Sequence, residues 1–251
     1  MNKYLDRITV GQTGLAADLP TLKTLQRQHL LNVPFENLDI HWKRPIVLDT
    51  ERFYAKIVGE KRGGFCYELN GLFIQLLRHV GFRTRLVSAR VFGGEKCFGP
   101  EFDHAAIIVT IGELEYLADV GFGDFTFEPL RIVADIEQQD REGVFGIRRS
   151  DEGYLEVVKR TVGGWAPQYV FSPLGRDLSE FAERCDFQQY SPDSHFSKGR
   201  VCSLITESGR KTLTDTKFIV ASKVEKTDAA VESQEDFDRT LALEFNIQRP
   251  I

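Results

Sequence analysis

Arg62-Gly63-Gly64-Phe65-Cys66-Tyr67-Glu68-Leu69-Asn70 stands at the head of the most regular stretch in this 251-residue chain. From Cys66 to Val80, apolar residues Leu69, Leu72, Phe73, Leu76, Leu77 and Val80 recur at helical spacing, which predicts a helix with one buried stripe. Gly81 follows it as a left-handed C-terminal cap. Cys66 therefore falls in the first turn, ahead of the stripe, where Gly63 and Gly64 permit a tight bend. At a helix N-terminus, unpaired N–H groups and the dipole favour a thiolate, so this is a candidate nucleophile. The competing reading is a buried structural cysteine, a common fate of this residue.

Working outward, residues 1–82 read as mostly helical. Leu22, Leu25, Leu30 and Leu31 are among the apolar residues that carry the pattern, and Pro34, Pro45 and Gly59 punctuate it. Beyond Gly81 the texture changes to short, β-branched or alternating segments at 83–92, 105–111, 115–120, 144–148, 154–161 and 168–171. Residues 83–184 are thus expected to form a β-sheet or barrel. Helical and strand patterns mix in residues 185–251, giving three parts and an α+β class overall. The chain shows no internal repeat, low-complexity tract or flexible linker.

The composition is that of an ordinary globular protein, 42% hydrophobic and 27% charged. With 32 Lys and Arg against 37 Asp and Glu, the formal charge is -5, and no basic run offers a nucleic-acid footprint. Residues 1–15 lack the continuous apolar core of a signal peptide, and no apolar run approaches membrane-spanning length. A cytoplasmic setting is expected. Cys66, Cys97, Cys185 and Cys202 form no CxxC pair, so reduced thiols are expected rather than a metal site or disulfide framework. Cys97 reads as an exposed bystander in a Gly-rich loop, and Cys185 and Cys202 as structural. The 19 Phe serve a core or an interface equally well, which leaves the oligomeric state open.

A thiolate catalyst needs a base that can return the proton, and histidine is the usual choice. His29 and His79 lie on helical patterns and read as satisfied surface or boundary residues. His41 falls in a turn and His195 in a Ser-Pro loop. His104 differs in opening a strand, Asp103-His104-Ala105-Ala106-Ile107-Ile108-Val109. The next strand contains Tyr116-Leu117-Ala118-Asp119-Val120-Gly121-Phe122-Gly123. A hairpin centred on Ile111 and Gly112 would set His104 opposite Asp119 on one face, whereas a one-residue slip would separate them. A carboxylate there would fix the imidazole tautomer and support its cation.

Taken together, the Cys66 segment, Val33-Pro34-Phe35-Glu36-Asn37-Leu38-Asp39, Asp103-His104 and the Asp119 strand resemble the motifs of the arylamine N-acetyltransferases. The joint match over roughly residues 20–205 is far more specific than any single motif. The resemblance implies a Cys66, His104 and Asp119 triad on a cysteine-protease or transglutaminase-like fold, with an N-terminal helical bundle, a central β-barrel and a C-terminal α/β lid. It implies acetyl-CoA as co-substrate, with no metal, and small arylamines or hydrazines as acceptors, hence xenobiotic metabolism. An Arg62–Glu36 ion pair is expected near the site, and Phe35, Val91 and Phe122 are expected to line the acceptor pocket. Gly93 and Gly99 in the loop after Val91, and Phe196 in the segment 185–196, are implied near CoA. Tyr190 departs from the family pattern, which has threonine before Ser-Pro. A hydrolase or transglutaminase-like enzyme with the same triad is the chief rival; a non-catalytic binding protein is another.

Overall fold

The computed structural model describes residues 1–93, 97–222 and 224–250. The chain opens with helices α1 (Asn2–Arg7) and α2 (Leu19–Asn32). Asp18 caps α2 by accepting the Thr21 N–H, and Val33 turns extended ahead of Pro34, ending the helix. A two-residue strand β1 (Phe35–Glu36) and short helices α3 (Leu38–His41) and α4 (Thr50–Tyr54) lead to α5 (Cys66–Val80). The last has the bounds expected from its apolar spacing. Leu69, Leu72, Phe73, Leu76 and Leu77 are fully buried, and Gly81 takes the left-handed cap at φ +106°.

Eight antiparallel strands follow. They are β2 (Arg83–Val91), β3 (His104–Ile111), β4 (Leu114–Ala118), β5 (Leu130–Arg131), β6 (Gln138–Asp140), β7 (Gly143–Arg149), β8 (Leu155–Thr161) and β9 (Gly164–Phe171). Their order is β5-β4-β3-β2-β9-β8-β7-β6. The two edges meet through Gln138, whose side chain donates to the Arg131 carbonyl at 2.9 Å and accepts the Arg131 N–H at 2.8 Å. A side-chain amide thus stands in for the missing ladder rung and nearly closes the barrel. Along β3 the side-chain period of two is plain: Ala105, Ile107 and Val109 join the α5 core, while Ala106 and Ile108 face Phe145, Ile147 and Val157 inside the barrel. Burial on both faces explains why this strand is an unbroken apolar run.

After the barrel come α6 (Ala182–Tyr190), α7 (His195–Lys198), strands β10 (Val201–Thr206), β11 (Gly209–Thr214), β12 (Lys217–Ser222) and β13 (Lys226–Ala230), and helix α8 (Gln234–Phe245). Their sheet has the order β1-β10-β11-β12-β13, so Phe35 and Glu36 of the N-terminal part pair with Ser203 and Cys202. Asn37 reinforces the join, donating to the carbonyls of Phe196 and Gly199 and accepting the Val201 N–H. No helix among the described residues is long and apolar enough to cross a membrane.

Five of the six expected strands are present within two residues at each end, and the sixth, 168–171, is the end of the longer β9. The hairpin register differs from expectation. Ile111 pairs with Leu114 and Ile107 with Ala118, so the turn is Gly112-Glu113, one position later than expected. Gly112 supplies the positive φ, +60°, that the first residue of such a two-residue turn uses. The slip displaces cross-strand partners by two residues, which preserves the face on which each side chain lies. His104 and Asp119 therefore remain on one side as diagonal rather than direct neighbours.

Candidate active site

Cys66 is the first residue of α5 and is buried. Two close approaches build its surroundings. A Cβ at Gly63 would lie 2.0 Å from the Pro34 carbonyl oxygen, and one at Gly121 would lie 2.8 Å from Cys66 Cα. Only glycine lets the 119–121 segment press against the Cys66 backbone. From inside α5, Glu68 reaches back to accept the Phe65 N–H at 3.1 Å, fixing the entry to the helix as half of a capping box.

Asn70, one turn beyond Cys66, ties the three elements together. Its Nδ2 donates to the Ala105 carbonyl at 2.7 Å and to Asp119 Oδ1 at 2.9 Å, while its Oδ1 accepts the Val120 N–H at 3.0 Å. Asp119 Oδ1 also accepts the Gly121 N–H at 2.9 Å, and its Oδ2 accepts from His104 Nε2 at 2.7 Å and from the Tyr169 hydroxyl at 3.1 Å. Four donors on a carboxylate buried to 1% exposure compensate its lost hydration. The Asp119 bond holds the proton on His104 Nε2 and leaves Nδ1 for a reacting group.

His104 and Cys66 line one cavity of about 550 Å³. Phe35, Val91 and Phe122 line it too, as do Gly93, Gly99 and Phe196. The structure thus brings together every expected site residue except Asp119, which stands behind His104. Phe122 meets His104 edge-on at 5.1 Å, and Phe196 lies 6.0 Å from Phe35. The His41 Nε2–H donates to the Phe196 carbonyl at 2.9 Å, holding that ring's backbone over the cavity; His41 closes α3 rather than sitting in a turn. His195 is the first residue of α7. Tyr190 is exposed and is not among the lining residues. In the loop after Val91, residues 94–96 lie outside the described residues.

The expected Arg62–Glu36 pair is present at 2.6 Å, but it belongs to a larger buried network. Arg62 also binds Asp39 at 2.7 Å, and Lys56 contacts Glu68 and Asp39 at 2.9 Å and Glu36 at 3.5 Å. Burial works against the Lys56 ammonium, but Glu36, Glu68 and Asp39 outweigh it and hold its pKa above the usual lysine range. Burial raises Glu68, partly offset by Lys56. This network sits under the Phe65–Cys66 entry and fixes it through Glu68.

Burial pushes Cys66 up, the Asp103 carboxylate adds to that, the Ala105 N–H acting on the sulfur opposes it, and Asp119 and Cys185 push further upward. At the head of α5 these upward pushes act against the helix-mouth preference for a thiolate. Cys185 and Cys202 are buried, Cys97 is exposed and all four cysteines are free, as read from the sequence. His29 departs from the surface or boundary position expected of it. It is fully buried between the Tyr4 hydroxyl, 2.7 Å from Nδ1, and the Phe73 ring, and burial chiefly, with Arg7, lowers its pKa to about 3.

Sequence reasoning passed over Asn70 and Tyr169 as site residues. Asn70 lay inside the quoted motif, four residues from Cys66 and so on the same helix face. Tyr169 arrives from a strand remote in sequence and carries no local signal.

An α+β fold that sets a helix-mouth cysteine in one cavity with a carboxylate-bound histidine is the architecture of cysteine-nucleophile acyl-transfer enzymes. A profile for N-acetyltransferases matches residues 18–250, and the chain belongs to the arylamine N-acetyltransferase family. It is 31% identical to the pineal gland isozyme NAT-3 arylamine N-acetyltransferase of Gallus gallus, with 98% of this chain and 93% of that protein covered. The solved arylamine N-acetyltransferase from Salmonella typhimurium superposes with a TM-score of 0.92 at 28% identity, covering 98% of this chain and 90% of that one. The Mycobacterium marinum enzyme solved in complex with CoA superposes at 0.89 and 28% identity, covering 98% and 92%.

Proposed function

We propose that the chain moves an acetyl group from acetyl-CoA to aromatic amines or hydrazines by a ping-pong cycle through acetyl-Cys66. The observation that carries this reading is the bond from His104 Nε2 to Asp119 at 2.7 Å beside a cavity that also holds Cys66. His104 takes the Cys66 proton as the sulfur attacks the thioester carbonyl, and returns it to the departing CoA sulfur. In the second half, the amine nitrogen attacks acetyl-Cys66 and loses its proton to His104, which passes it to the leaving Cys66 sulfur. Asp119 orients the imidazole and supports its cation. N–H groups in the first turn of α5 have no carbonyl partner within the helix and are placed to stabilise the tetrahedral oxyanion.

CoA recognition by this chain is supported by the CoA-bound relative and by Gly93, Gly99 and Phe196 along the cavity. Phe35, Val91 and Phe122 form apolar walls suited to a planar ring. In this reading residues 1–82 carry the nucleophile, 83–184 the base and its orienter, and 185–251 the cover of the cavity. Four free cysteines support a reducing, cytoplasmic setting. Intact mass measured after mixing with acetyl-CoA, and again after adding an arylamine, tests the cycle. One acetyl group mapping to Cys66 and leaving as acetylated amine is expected; an adduct discharged only by water would make the chain a hydrolase.

A further inference from the structure

Asp103, the residue before His104, lines the same cavity as Cys66. Phe102 ahead of it adopts φ +64°, a conformation rare for an aromatic residue. The Tyr67 hydroxyl, from the residue after Cys66, donates to the Phe102 carbonyl at 2.7 Å. This bend presents the Asp103 carboxylate to the cavity beneath α6. There Arg184 binds Oδ1 through Nε at 2.8 Å and Nη2 at 2.7 Å, and Gln188 donates to the same oxygen at 2.8 Å. Arg184 is itself braced on the Phe187 ring, 4.0 Å away. Both charges are largely buried, with 19% and 14% of the Arg184 and Asp103 side chains exposed, so their fields reach neighbours with little screening.

We propose that Arg184, reaching from α6, neutralises the Asp103 carboxylate and thereby tunes the reactivity of Cys66, making the pair a positioning element that couples the cover of the cavity to its nucleophile. The inference rests on Cys66 being the nucleophile. A bare carboxylate beside a thiol disfavours the thiolate, and a guanidinium paired to that carboxylate cancels the effect. Other titratable groups couple to the sulfur or line its cavity, Tyr67 of α5 among them. His104 lies on β3, Asp119 behind it, Cys185 on α6, and His195 and Asp193 at the α7 side of the cavity. Apart from the Tyr67 hydroxyl, 3.4 Å from the Asp103 backbone carbonyl, none of them contacts Asp103 among the described bonds, and none contacts its carboxylate, so the Arg184 effect is separable from theirs.

The experiment is alkylation of Cys66 by iodoacetamide across pH, without acetyl-CoA, followed by mass of the Cys66 peptide. Arg184→Met is expected to raise the alkylation midpoint by about one pH unit, and Asp103→Asn to lower it by a similar amount. The double variant is expected to return near the wild-type midpoint, which misfolding of either single variant would not produce. Arg184→Lys, which keeps the charge, is expected to stay near wild type. Midpoints of both single variants equal to wild type, or a lowered midpoint in Arg184→Met, would overturn the proposal. Acetyl transfer by another residue would show instead as wild-type enzyme that loads no acetyl group on Cys66, a result independent of these midpoints.

Discussion

Two buried histidines, each bonded to an oxygen, have opposite kinds of partner in this molecule. His104 faces a carboxylate that is itself held by Asn70, Gly121 and Tyr169, and its ring borders a cavity. His29 faces the neutral Tyr4 hydroxyl inside the helical part and lies against Phe73. A carboxylate stabilises an imidazolium in place of water; a phenol does not. Burial is therefore shared between them, and on the proposed mechanism the partner decides whether the ring can carry a proton through a reaction.

The strongest way to break this contrast is Asp119→Asn, which keeps the shape of the side chain and removes its charge. Loss of the orienting carboxylate is expected to lower kcat/KM for arylamine acetylation by about 10⁴-fold, the scale seen when a triad loses its charge. Steady-state rates check it. A fall of less than about tenfold would mean that the carboxylate does not distinguish His104 from His29.

The second test moves to His29 and uses acid. Its folded pKa, about 3, lies below the model-peptide value of 6.5, so below pH 6.5 the unfolded chain binds a proton that the folded chain refuses. Stability attributable to this residue is complete above pH 6.5 and is lost as pH falls toward 3, at roughly 1.4 kcal/mol per unit. Urea unfolding of wild type and His29→Gln at pH 7, 6 and 5 isolates the effect as the difference of two slopes. Parallel slopes would show that His29 accepts its proton in the fold and would collapse the comparison.

A smaller effect follows from Tyr4→Phe. Removing the hydroxyl leaves His29 Nδ1 buried without its partner, which is expected to cost about 1–3 kcal/mol of stability. Acetylation rates should hold, because Tyr4 lies in the α1, α2 and α5 core and not along the cavity. Thermal melts and rates measured on the same preparation check both halves.

The sequence made His104 legible and His29 not, for a physical reason. His104 opened a strand of fixed period and stood near a carboxylate in the next strand, so local rules placed both on one face even with the turn one position off. His29 sat on the α2 pattern four residues after Leu25, where helical spacing alone does not say whether α1 will fold over it. The α5 helix was legible to its ends because its stripe, flanking glycines and cap agree. The ion network was glimpsed only as Arg62 and Glu36, since Lys56, Asp39 and Glu68 meet through tertiary packing. β1 escaped because two residues carry no period, and it exists only through its pairing with β10.

The finest test returns to the active side. Burial, with the Asp119 carboxylate, pushes the Tyr169 phenol well above its ordinary pKa, so it stays a neutral donor to Oδ2. Tyr169→Phe removes one of four donors and leaves Asn70, Gly121 and His104 in place. The loss of one such bond, about 1 kcal/mol, predicts a fall of roughly fivefold in kcat/KM. If orientation of His104 is shared among the donors, Asn70→Ala, which breaks bonds to Ala105, Asp119 and Val120 at once, should cost more in both rate and melting temperature. An Asn70→Ala enzyme as fast as Tyr169→Phe would place the orienting work on the tyrosine, and the partner that distinguishes His104 from His29 would then be the Asp119–Tyr169 unit rather than the carboxylate alone.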